Sequence, residues 1–362
     1  MKKGFDRLRG VAAASAMGLG ILGGGSARAA TATFGISGIS ITTAGVKWQN
    51  INTGPVLASG QSSLITGSGI SFPSTSVSGI IINNASLTSG IDNAFDRTLF
   101  MATLQSGTTK LFDNPDGTVD LTGNTLTSDL QTNFLTGIDA QIEYYFHPLR
   151  PVVRALYSFE NTTNTDITFQ VYVGGNLQSG NATNIQSTSD DDTDVEASDL
   201  WIISSNRSPG TDPTTGTSDT PVITISRFGT GSVEPKNGVQ LANGAGTFGH
   251  LYDVTVPADS TRRILVFAEL NSSIDDAKTA AADFETLEAA ELAGLLTGFI
   301  SNSIRFDEIV NYTEDTSDDG GDSSNGDDDE DDDLSTGALN APATAMLLGL
   351  LTLSRVRKKE NL

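Results

Sequence analysis

Apolar and polar residues alternate with a period of two over much of this chain, most clearly between Ile142 and Leu177. Val153, Ala155, Tyr157 and Phe159 fall on one side of a strand and Arg154, Ser158 and Glu160 on the other, and Leu156 breaks the alternation. Residues 161–166 (NTTNTD) are short, polar and able to bond their own backbone, which predicts a turn. A second strand follows, with Ile167, Phe169, Val171 and Val173 against Thr168, Gln170 and Tyr172. The two runs read as a β-hairpin with one apolar face, which needs a second layer to cover it.

The same punctuation recurs along the chain. Short β-favouring runs separated by Gly and Ser clusters occupy 31–72, 77–87 and 99–104, and 113–117 (DNPDG) reads as a tight turn. Residues 176–198 read as a long polar loop, followed by strands at 200–205 and 222–228. The runs 250–256 and 263–270 flank 257–261 (PADST) like a second hairpin, and ILVFAEL is apolar enough to lie inside a sheet or between layers. Ser273 followed by IDDAKTAAADF has the cap and first-turn acids of a helix. A second helical piece is expected over 286–292, and a last turn or strand over 304–312. The expected fold is all-β: an antiparallel β-sandwich, one large or two abutting with a boundary near 137, covered by one or two C-terminal helices.

Both ends of the chain differ from this body. Residues 1–29 combine a basic start, a short Gly-rich apolar run and the Ala27-Arg28-Ala29 exit before Ala30, the pattern of a secretory signal peptide with processing between Ala29 and Ala30. Export follows as an expectation, to the cell envelope surface or the extracellular space. The body, 30–312, contains no cysteine and must hold itself together through its core. Residues 313–340 form an acidic linker expected to be disordered, and 341–359 join a 13-residue apolar stretch to a basic RVRKK cluster.

That last module, Pro342-Ala-Thr through the apolar run to the basic end, with Gly320-Gly321 and the acidic spacer before it, resembles the C-terminal sorting signals of the bacterial PEP-CTERM and GlyGly-CTERM kinds. The resemblance covers about the last 25 residues and implies a sorting enzyme of the envelope as partner, with membrane contact only through this segment before processing. The Pro-Glu-Pro signature itself is absent, so the resemblance does not choose the enzyme.

Charge narrows the partners. The formal net charge is −23, and the body alone holds 30 acids against 12 bases. Such a surface repels nucleic acid and anionic lipid, leaving a polysaccharide or another surface protein as the expected partner. Candidate chemistry is sparse, with two histidines in the chain and no thiol nucleophile. Tyr145, His147, Arg150 and Arg154 would suit β-elimination of a uronate polymer, the Tyr or His as base and the arginines on the carboxylate; a strand end and its turn account for the same residues without catalysis. Asp190, Asp192, Asp194 and Glu196 would offer oxygen ligands to Ca²⁺, or form a solvated acidic loop. No other cofactor is expected. The expected function is a surface or extracellular-matrix module, adhesive or carbohydrate-binding and non-enzymatic. A polysaccharide lyase or glycoside hydrolase, and a Ca²⁺-dependent adhesion module, stand as alternatives.

Overall fold

The computed structural model describes residues 30–33, 38–53, 65–66, 69–70, 80–114, 117–236, 241–285 and 308–312. The chain divides after Thr316 into two compact units, and every described residue lies in the first. Its strands are β1 (Ala30–Thr33), β2 (Ile39–Thr43), β3 (Val46–Asn52), β4 (Ile65–Thr66), β5 (Gly69–Ile70), β6 (Ile81–Leu87), β7 (Phe100–Gln105), β8 (Thr108–Leu111), β9 (Thr118–Thr122) and β10 (Thr125–Ser128). They continue with β11 (Gln131–Leu135), β12 (Ile138–Phe146), β13 (Val152–Asn161), β14 (Ile167–Asn176), β15 (Asn184–Thr188), β16 (Trp201–Ser205), β17 (Val222–Ser226), β18 (Thr247–Val256) and β19 (Thr261–Asn271), and the helix α1 (Ile274–Ala281) follows.

Among the described residues a ten-stranded sheet runs β1-β9-β10-β12-β13-β19-β17-β16-β15, with β11 also beside β12. A four-stranded sheet runs β18-β14-β7-β8 and a three-stranded one β2-β3-β6, and all the long pairings are antiparallel. This is the expected all-β sandwich. Its main core lies between the large sheet, through Tyr144, Ala155, Tyr157, Phe159, Ile264 and Val266, and the smaller sheets, through Phe169, Val171, Val173, Val254, Trp48 and Ile82. The hydroxyls of Tyr144 and Tyr157 both reach the Leu99 carbonyl at 2.8 Å, tying the layers by hydrogen bonds as well as by apolar contact. β10 and β11 pair with β12 across position 137, and β9 continues the same sheet beyond β10.

The two expected hairpins are corrected. β13 pairs β12 and β19, whereas β14 pairs β18 and β7, so the chain leaves one layer at Asn161 and enters the other at Ile167. The link is an arch between sheets. Alternation says which side of each strand is buried, and two such sides can meet across a core as readily as along one sheet. The Asn161 side chain holds the bend: Nδ2 donates to the carbonyls of Thr165 and Val256, and Oδ1 accepts from the Thr163 N–H. β18 and β19 form a second arch of the same kind. The two arches lie side by side, joined by Asn161 N–H to Ser260 O (2.9 Å), Asp259 N–H to Thr163 O (3.1 Å) and Ala258 N–H to Asp166 Oδ1 (3.0 Å).

The expected loop over 176–198 is corrected in part: Asn184–Thr188 is the edge strand β15, a short polar strand with an irregular register that gives no alternation to read. ILVFAEL lies in β19, well inside the large sheet. Leu156 also finds its reason. The outer face of β13 is buried too, Val152 and Leu156 packing with Leu265, Phe267, Ile274, Ala277, Ala281, Phe284 and Tyr312. The helix supplying this cover begins as expected, Ser273 accepting from the Asp276 N–H at 3.2 Å. The segment expected at 286–292 lies outside the described residues. At the end of the body, Ile309 forms a parallel bridge with Arg263.

On the outer face of the four-stranded sheet the Tyr172 ring lies over two facing glycines, Gly174 and Gly249, and donates its hydroxyl to the Phe248 carbonyl at 3.1 Å. A Cβ at position 249 would run into that ring. Gly249→Ala is therefore expected to lower unfolding free energy by about 1–3 kcal/mol, read from the urea midpoint. An unchanged midpoint would show that Tyr172 is free to move aside.

Candidate functional site

The structure does bring Tyr145, His147, Arg150 and Arg154 together, at the end of β12, in the following turn and on β13. The turn is built on His147: its Nδ1 accepts from the backbone N–H groups of Leu149 (3.2 Å) and Arg150 (2.8 Å). Burial, helped by the Arg150 charge, lowers the His147 pKa, so the ring stays neutral as an acceptor must. Arg150 reaches beneath the cover. Its guanidinium bonds Glu269 Oε2 at 2.8 Å and Asp283 Oδ2 at 2.9 Å and lies over the Phe284 ring, 5.6 Å from its centroid. Arg154 is fully buried, pairs with Glu143 Oε1 at 2.6 Å and lies 5.2 Å from the Tyr145 ring centroid. Both guanidiniums are thus occupied by the protein's own carboxylates, sites that a uronate would need.

Two carboxyls on this outer face have raised pKa values. Burial lifts Glu143 against the opposing charges of Arg154 and Arg263, and burial lifts Glu269 against Arg150. Each is bonded to its own arginine, Glu143 to Arg154 and Glu269 to Arg150. Glu143 is level with Leu156 and Glu269 with Val152, two strands across and four residues along. At ordinary strand spacing and rise this separates their Cα atoms by about 16 Å.

The acidic loop after β15 is held by its own polar groups. The Thr188 hydroxyl lies 2.6 Å from Asp190 Oδ1 and 3.0 Å from Asp192 Oδ1, and the Asp194 N–H donates to Asp192 Oδ1 at 2.8 Å. The Glu196 N–H donates to Asp199 Oδ2 at 2.6 Å, and Lys278 pairs with Asp191 at 3.2 Å. Among the described residues no group of three acidic or His side chains is placed to hold a metal ion.

In sequence the second histidine reads only as the start of the strand 250–256, with no role. His250 lies on the inner face of β18, fully buried between the Phe248 and Tyr252 rings, and neither ring nitrogen has a hydrogen-bond partner. Arg227 is close enough to oppose its protonation and is itself fully buried, held through Nη1 by the carbonyls of Glu196 (2.6 Å) and Asp199 (2.7 Å). Burial first, and the Arg227 charge second, push the His250 pKa well below 6.5. The unfolded chain takes up this proton near pH 6.5 while the folded chain does not, so stability is lost as pH falls below that value. From pH 7 to pH 5 the loss attributable to His250 is expected to be at most about 2 kcal/mol. His250→Phe should remove that part of the slope in urea titrations, and an unchanged slope would show that His250 is protonated in the fold.

Sequence reading also missed a recess of about 290 Å³ beside the β7–β8 turn. It is lined by Leu104 and Gln105 at the end of β7, Ser106 and Gly107 of the turn, and Thr168, Phe169, Gln170 and Asp253 from β14 and β18. Positive φ at both Ser106 (51°) and Gly107 (78°) gives the tight turn that suits a two-residue hairpin. Gln170 Nε2 donates to Asp253 Oδ1 at 2.9 Å, and Lys236 pairs with the other oxygen of that carboxylate. Burial raises the Asp253 pKa, but hydrogen bonds from Lys236 and Gln170 and the Lys236 charge outweigh it, and the group stays below its usual range. The only sequence signal was the alternation that puts Thr168 and Gln170 on the polar side of their strand.

No protein-family model matches the chain, and no curated protein matches it. Among solved structures, a polysaccharide lyase aligns at a TM-score of 0.34 and 10% identity over 56% of this chain and 32% of its own. A protein described as a kojibiose phosphorylase, from the human microbiome, aligns at 0.37 and 10% over 70% of this chain and 34% of its own. One described as an aldose 1-epimerase, from Klebsiella pneumoniae, aligns at 0.31 and 8% over 53% and 68%. The chain spans about a third of the length of the first two. Likeness at this level transfers no activity to it.

Proposed function

We propose that this protein is exported and acts outside the cell as a non-enzymatic β-sandwich module of the surface or extracellular matrix, adhesive or carbohydrate-binding. The observation that carries this reading is the use made of the four side chains best suited to polysaccharide cleavage: His147 caps a turn, and Arg150 and Arg154 bind the protein's own carboxylates, Arg154 with the Tyr145 ring beside it. Export rests on the 1–29 pattern, and Ala30, the first residue after the expected cut, opens β1. The apolar and basic C-terminal module supports handling by an envelope sorting enzyme.

The test is a combined binding and turnover screen of the full chain against neutral and acidic polysaccharides, with and without Ca²⁺. Binding without product is expected. New reducing ends or unsaturated uronate would overturn the reading in favour of an enzyme. Mass spectrometry of the protein from its native host should find Ala30 at the N-terminus, and recovery of intact 1–29 would sink export by this signal.

A further inference from the structure

The recess beside the β7–β8 turn has the chemistry of a sugar subsite, and we infer that it binds one unit of a neutral, hydroxyl-rich glycan. This inference rests on the binding role proposed above and gives it a location. Polyols are recognised by fixed planar groups that donate and accept side by side, and the recess supplies these. The Gln170 amide is oriented by its bond to Asp253 Oδ1, and the carboxylate is in turn held by Lys236. Next to them the Thr168 and Thr255 hydroxyls are 2.9 Å apart across the same pair of strands. Gln105 and Ser106 line the recess at the end of β7 and in the tight turn, and Leu104, level with Gln170 on β7, gives an apolar patch for the C–H face of a ring.

Charge selects the ligand class. An ionised Asp253 within a strongly acidic protein disfavours uronates and sulfated sugars, while a carboxylate is a strong acceptor for ring hydroxyls. The volume of about 290 Å³ is at the low end for small-molecule sites and suits a single sugar unit. A site this open binds weakly by itself, with Kd expected on the order of 1 mM, and gains strength when many copies meet a polymer.

The test is an amide NMR titration of the full chain with neutral mono- and oligosaccharides, repeated on Gln170→Ala and on the near-isosteric Asp253→Asn. Shifts centred on Gln105, Ser106, Gly107 and the Gln170 side chain are expected, with affinity at least about tenfold weaker in both variants while the rest of each spectrum stays unchanged. Binding that maps elsewhere and survives both substitutions would overturn the subsite and leave the carbohydrate-binding role standing. No shift with any neutral glycan, but capture of an acidic one or of a protein, would overturn the subsite and redirect the role. Silence towards every glycan and protein tested would overturn both.

Discussion

Arg150→Met is expected to destabilise the protein by about 3–5 kcal/mol at pH 7, because it leaves a carboxylate buried without its partner. Glu269 is 2% exposed and has its charge balanced by Arg150 at 2.8 Å; the same guanidinium holds Asp283 at 2.9 Å. Methionine would keep much of the contact with Phe284 and supply none of the charge. The clamp also fixes the cover, since Phe284 stacks on Phe267 with centroids 5.0 Å apart, so its loss should loosen α1 along with the local ion pairs. Two further results separate this account from a general packing defect. Arg150→Met combined with Glu269→Met should recover most of the loss, and acidification should shrink it in the single variant as Glu269 takes up a proton. Urea unfolding of the three proteins at pH 7 and pH 5 decides it. A single variant within about 1 kcal/mol of the parent would show that the buried carboxylate finds another partner.

The same residues show how far the sequence could be read. Proximity in the chain brought Tyr145, His147, Arg150 and Arg154 into one group, and the fold keeps them together. What gives the group its meaning comes from far along the chain: Glu269 is 119 residues from Arg150 and Asp283 is 133 residues away. Neither carries a local pattern that points back. Strand existence was legible where one face is buried and the other polar, as in β14. On β13 the alternation survives with one break at Leu156, β19 shows as an apolar run because both its faces are buried, and β15 carries no signal. The layer to which a strand belongs was not legible at all, because period two fixes a strand's faces and leaves its neighbours open. Asn161 decides it between β13 and β14 through side-chain bonds that look, in sequence, like those of any polar turn. The helix start was legible because Ser273 and the two aspartates act within one turn.

Asn311→Leu is expected to cost about 2–4 kcal/mol, for a reason that begins in the large sheet. β17 is the neighbour of β19 only from Ala268 to Asn271; nearer the start of β19 the two strands diverge and the β19 backbone loses its partner. Side chains take over. Ser226 Oγ accepts from the Phe267 N–H at 2.8 Å, and the Asn311 amide meets Leu265 on both groups, Oδ1 accepting from its N–H at 3.0 Å and Nδ2 donating to its carbonyl at 2.6 Å. Nδ2 also donates to the Arg227 carbonyl at 3.0 Å, beside the buried guanidinium. Leucine has similar bulk and none of these bonds, leaving buried backbone groups unpaired at about 1–3 kcal/mol each before relaxation. The Val310 N–H adds a backbone bond to Arg263 at 2.8 Å, so 309–312 close the sheet like a further short strand. The check is amide exchange at Leu265 alongside urea unfolding: the variant should lose protection there and stability overall. Preserved protection at Leu265 would mean that the sheet closes without Asn311.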